Sequence, residues 1–124
     1  MEKEFVKYEI ALELKELGFD EPCFGYYGVE NELCVEISCN LDHNLTRRNF
    51  IAVPTCSQAF RFFREKYELY YTIEGSIKEG FQYFVYTYEY EIKSEELFNT
   101  YEKTELVCLV KLIEIAKEKN NNER

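Results

Sequence analysis

Residues Phe81 to Tyr90 read FQYFVYTYEY, ten positions that carry six aromatic rings together with Val85 and Thr87, all residue types that favour a pleated strand. Alternation puts Phe81, Tyr83, Val85 and Thr87 on one side and Gln82, Phe84, Tyr86, Tyr88 and Tyr90 on the other, and neither side is plainly polar. Just upstream, Leu69 to Ile73 is a shorter β-branched and aromatic run closed by Glu74-Gly75-Ser76. The two runs therefore read as a hairpin.

Outward from this hairpin the pattern changes period. Toward the N-terminus, Ala59, Phe60, Phe63 and Tyr67 form a helical stripe behind Pro54, with Arg61, Arg64 and Glu65 at its margins. Toward the C-terminus, Asn99 or Thr100 can cap a helix whose Leu106, Leu109, Val110, Ile113 and Ala116 line one side, before Asn120-Asn121-Asn122. At the start of the chain, Ile10, Ala11, Leu14 and Leu17 recur at helical steps. Gly18 stands at the C-cap, with Phe19 placed to fold back on that face. Asp20-Glu21-Pro22 then leads into a first strand, Cys23 to Tyr27. Leu33, Val35 and Ile37 alternate with Cys34, Glu36 and Ser38 as a second strand. Cys39 to Val53 follows neither period and reads as a long loop with a short ordered piece at Phe50 to Val53.

The expected order is αββαββα, an α+β fold in which an antiparallel sheet of about four strands packs against two or three helices. Residues 1–119 are expected to form a single domain and 120–124 a disordered tail. Ala11 to Phe19 and Ala59 to Tyr67 share a loose spacing ahead of paired strands, a weak sign of duplication.

The chain has 124 residues, 46% of them apolar, and at 14.9 kDa area scaling lets about two-thirds of its unfolded surface be buried without disulfides or metal. No run approaches the ~18 apolar residues of a membrane span, and Met1-Glu2-Lys3-Glu4 lacks a signal peptide's order. Cys23, Cys34, Cys39, Cys56 and Cys108 form an odd set without a C-x-x-C pair, suiting reduced thiols in a cytoplasm.

The formal charge of −9 argues against coating nucleic acid, whose phosphates demand Lys and Arg. Between His43 and Lys66, however, Arg47, Arg48, Arg61, Arg64 and Lys66 face the single acid Glu65, a local charge of +4. A helix N-terminus offers N–H donors and a positive dipole end, so Arg47, Arg48, Thr55, Ser57 and Arg61 are candidate ligands for a small anion such as a nucleotide. No glycine-rich phosphate loop accompanies them, and Arg61 can instead pair with Glu65 one turn on.

With 11 Tyr, 10 Phe and no Trp, rings are the chain's distinctive resource. Tyr joins an apolar body to a polar tip, and Tyr70, Gln82, Tyr86, Tyr88 and Tyr90 are the candidate partner-binding set. The same rings could simply pair across strands, and a homodimer interface would satisfy both readings.

Catalytic and metal chemistry find no footing. Cys39, His43 and Cys56 make one loosely spaced trio where structural zinc needs four ligands, and no Cys-His signature or GxSxG is present. Acid pairs such as Glu95-Glu96 arise from composition in a chain with 24 acids. No cofactor or metal is expected.

Three strings, YEIALELKELGFDEPCFGYY from Tyr8, AFRFFREKYELY from Ala59 and TYEKTELVCLVKLIEIAKEK from Thr100, together resemble small proteins carried by phages and mobile elements of gut bacteria. That resemblance implies an accessory genetic setting in a bacterial host's cytoplasm and transfers no site residues. The expectation is a non-catalytic binding protein that counters host defence by occupying a host protein or sequestering a small anionic signal. The alternatives are a small enzyme with the 39–53 loop as lid, and a self-assembling structural protein.

Overall fold

Gly18 ends the first helix by the chemistry its sequence position suggests. In a computed structural model that describes residues 4–28, 32–35 and 51–122, α1 spans Tyr8–Glu16. Phe19 N–H donates to the Leu14 carbonyl at 2.9 Å and Gly18 N–H to Lys15 at 3.0 Å, the paired bonds of a Schellman closure. Gly18 has φ 96°, a conformation that would strain any residue with a Cβ. The closure returns Phe19 to the face of Ile10, Ala11, Leu14 and Leu17, all of them buried.

The chain divides into two compact units, Met1–Ala59 and Phe60–Arg124. In the first, β1 (Gly25–Tyr27) is the centre of an antiparallel sheet, flanked by β2 (Leu33–Val35) and β3 (Ile51–Val53). Tyr26 sits opposite Cys34 on one side and Ala52 on the other. The Tyr27 hydroxyl donates to the Val6 carbonyl at 2.8 Å, while its ring meets Tyr8 edge-on at 5.5 Å, which ties the segment entering α1 to the sheet.

The helix α2 (Cys56–Tyr67) begins with a reciprocal capping box. Gln58 N–H donates to Thr55 Oγ1 at 3.2 Å, and the Gln58 side-chain oxygen accepts from Thr55 N–H at 3.0 Å. Its expected stripe is buried, Ala59 in the first unit and Phe60, Phe63 and Tyr67 in the second, joined by Phe62; Arg61, Arg64 and Glu65 are exposed. At its far end Glu68 turns the chain with φ 56°, and Lys119 Nζ donates to the Tyr67 carbonyl at 2.9 Å, a cation on the negative end of a helix.

The second unit is built on β4 (Tyr70–Ser76), β5 (Gly80–Tyr86) and β6 (Glu91–Lys93), an antiparallel sheet in the order β4-β5-β6. Gly75 sits where its Cβ would meet Phe81 Cα at 2.7 Å and the Gly80 carbonyl oxygen, so a glycine is needed at this end of the hairpin. The last helix, α3 (Tyr101–Asn122), is capped by the Thr100 hydroxyl, which accepts from Lys103 N–H at 3.1 Å.

The fold is α+β; among the described residues there are three helices in the order αβββαβββα, with two three-stranded sheets in place of one sheet of about four strands. Of the added strands, β3 falls on the short ordered piece expected at Phe50 to Val53, and β6 is three residues that follow the tyrosine run with no period of their own. The tyrosine run is also not one strand. Thr87 Oγ1 accepts from Glu89 N–H at 3.1 Å and Tyr90 N–H at 3.0 Å, turning the chain at residues that keep a strand-like composition. The sheets differ in order, β2-β1-β3 against β4-β5-β6, so the two halves do not share one topology.

The face of α3 is rotated from its expected setting. Thr104, Cys108, Leu109, Leu112, Ile113, Ile115 and Ala116 are buried, whereas Val110 is 41% exposed and Leu106 only half-buried. Small side chains at 104 and 108 let the helix approach the ring-laden sheet, a fit that periodicity in an apolar-rich helix does not encode. The helix also continues through Asn122 instead of giving way to a tail at 120, and Asn120 donates to the Tyr67 hydroxyl at 3.1 Å.

Candidate functional site

The alternation of β5 resolves into a covered face and an uncovered one. Tyr83 and Val85 are buried, and Phe81 meets the Tyr101 ring of α3 edge-on at 6.1 Å. From the neighbouring strand, Tyr71 stacks on Phe60 of α2 at 3.7 Å with the planes 14° apart. Helices therefore cover this side of the sheet. Burial holds the phenols of Tyr71, Tyr83 and Tyr101 above their ordinary range, with nearby Cys108 and acidic side chains adding to it. The Cys108 thiol is pushed up to about 12, first by burial and then by the Glu105 carboxylate, so at neutral pH it is a packing group and no nucleophile.

The opposite face presents a grid set by register. Tyr70 of β4 faces Tyr86 of β5, which faces Glu91 of β6; Thr72 faces Phe84, which faces Lys93; Glu74 faces Gln82. The central-strand residues Gln82, Phe84 and Tyr86 are half-buried, whereas the flanking ones are exposed, Tyr70 by 49%. Phe84 and Tyr86 lie with ring centroids 6.4 Å apart and planes 16° apart, and the Thr72 and Tyr86 hydroxyls approach to 3.4 Å. The result is an apolar strip of three aromatic side chains, Tyr70, Phe84 and Tyr86, with a mixed-charge margin of Glu74, Glu91 and Lys93.

Of the residues expected to bind a partner, Tyr70, Gln82 and Tyr86 share this face. Tyr88 sits at the tip of the 87–90 turn, 95% exposed, and Tyr90 follows it at 47%. The turn separates them from the grid. Phe84, set on this side by alternation but left out of the expected set, joins the face with Thr72, Glu91 and Lys93, for which the signal is the Tyr70–Tyr86 register.

The anion set is dispersed differently. Arg47 and Arg48 lie outside the described residues, as do Cys39 and His43. Thr55 uses its hydroxyl in the capping box, Ser57 is exposed in the first turn of α2, and Arg61 pairs with Glu65 at 3.4 Å. Lys66 lies 5.6 Å from the centroids of both Phe62 and Tyr67. Each of Thr55, Arg61 and Lys66 thus has an intramolecular role. Among the described residues no cluster of three His, Cys, Asp or Glu side chains could hold a metal ion, and no helix is long and apolar enough to cross a membrane.

No protein family model, curated protein or solved structure matches this chain.

Proposed function

We propose that this chain is a non-catalytic binding protein that holds a protein partner against the outer face of the β4-β5-β6 sheet. One observation carries the reading: helices cover one side of that sheet, while Tyr70, Phe84 and Tyr86 form a strip on the other that, among the described residues, no ring from a helix contacts. Large rings on a rigid sheet contribute contact area at low entropic cost, which is what a binding surface requires. In the accessory setting implied by the resemblance, the partner is a protein of a bacterial host. Sequestration of an anion is the weaker reading, since Thr55 and Arg61 are engaged within the chain.

The test compares tagged chain with a Tyr70→Ser, Tyr86→Thr variant in host lysate. Thr and Ser keep the strand, so the melting point should stay within a few degrees. A protein retained by the parent should fall several-fold in the variant. Equal retention by both, or capture of no protein by either, refutes the assignment.

A further inference from the structure

We infer that the free edge of β4 pairs with the β4 edge of a second copy of this chain, joining two three-stranded sheets into one of six strands about a two-fold axis at Thr72.

The hydrogen-bond phase of the sheet sets which groups face outward. On β5, Phe81 exchanges bonds with Phe98 at 2.8 and 2.7 Å, Tyr83 accepts from Ser94 N–H at 3.0 Å, and Thr87 N–H donates to Tyr90 at 2.8 Å. Odd-numbered residues of β5 thus direct their backbone toward the β6 side, and Gln82, Phe84 and Tyr86 direct theirs toward β4. Their partners Glu74, Thr72 and Tyr70 are therefore the inward-bonded residues of β4, and Tyr71 and Ile73 turn their N–H and C=O groups to the open edge. Among the described residues nothing bonds to these groups.

The two edges of the sheet are guarded unequally. The β6 edge is three residues long, carries Glu91 and Lys93, and breaks off where Ser94 and Phe98 take over the β5 bonds, the usual protections against strand addition. The β4 edge has seven residues with no Lys or Pro and a single charge, Glu74. Gly75, with φ 143°, leaves Tyr70 to Glu74 as the regular stretch, and the centre of that stretch is Thr72.

Self-pairing about this centre is chemically consistent. Tyr71 and Ile73 of each copy exchange both main-chain bonds with Ile73 and Tyr71 of the other, which makes four hydrogen bonds and two aromatic–aliphatic pairs. Thr72 faces Thr72, and Glu74 faces Tyr70 instead of another carboxylate. Like charge is thus kept out of register, although the chains as wholes carry −9 each and added salt should tighten the dimer. On the outer face the second copy sets its Glu74 against Tyr70 and its Thr72 against Thr72, so the junction between the two ring-bearing strips is polar. This pairing stands independently of the proposed partner binding.

Sedimentation from about 1 to 100 µM should show a monomer–dimer equilibrium. Thr72→Lys opposes two cations at the axis and should shift the midpoint at least tenfold toward monomer. Ile73→Pro removes an outward N–H that the β5 ladder does not use, and should do the same. Thr72→Cys places two sulfurs across a non-hydrogen-bonded pair, the close spacing a disulfide needs, so mild oxidation should link it into a dimer where the parent and Glu74→Cys link poorly. A parent that stays monomeric throughout overturns the inference. So does a dimer that survives both Thr72→Lys and Ile73→Pro, or a failure of Thr72→Cys to cross-link. None of these outcomes depends on capture of a lysate protein, so dimer and partner reading fail separately.

Discussion

Ser94 pins the end of β6, and removing its hydroxyl isolates what that pin contributes. The side chain is only 6% exposed; its Oγ accepts from Tyr83 N–H at 3.2 Å and donates to the Glu96 carbonyl at 3.1 Å, while its own N–H donates to Tyr83 at 3.0 Å. Ser94→Ala leaves the last of these bonds and orphans the Tyr83 amide in a buried strand. An unpaired buried donor costs about 1–3 kcal/mol, so urea unfolding should show that loss with an unchanged slope. The melting point should fall by roughly 4–10 °C. Amide exchange at Tyr83 should accelerate about tenfold for each 1.4 kcal/mol lost. A stability change below about 0.5 kcal/mol would refute the reasoning, as would a general loss that leaves exchange at Tyr83 no faster than at its neighbours.

Two further outcomes follow from the same geometry. Cys108 titrates at about 12 in the folded chain against an ordinary 9.0, so unfolding releases its proton more readily; its stabilising contribution is intact below about pH 9 and is lost as pH rises toward 12. Tyr71, Tyr83 and Tyr101 shift in the same direction, and urea midpoints should fall steeply above pH 9, less steeply in Cys108→Ala; a flat profile would contradict the burial argument. Glu68 holds φ 56° without being glycine, so Glu68→Gly should raise stability by roughly 0.5 kcal/mol and Glu68→Val should lower it, measured by the same unfolding curves.

Local chemistry determines much of this protein independently of tertiary packing. The Gly18-Phe19 closure, the buried stripe Ala59-Phe60-Phe63-Tyr67 and the Thr100 cap depend on residues within one or two turns of each other, so one stretch of chain carries the whole signal. Tertiary structure decided the rest. Strands of three residues such as Ile51–Val53 and Glu91–Lys93 exist only because a distant neighbour supplies their hydrogen bonds. The turn at Thr87 hides in tyrosines that would suit a strand equally well. The placement of Tyr70 beside Tyr86, and of Phe84 between Thr72 and Lys93, is a matter of register between strands. Register and the rotation of α3 are set by how side chains interlock across elements, and that information is shared among residues far apart in the chain.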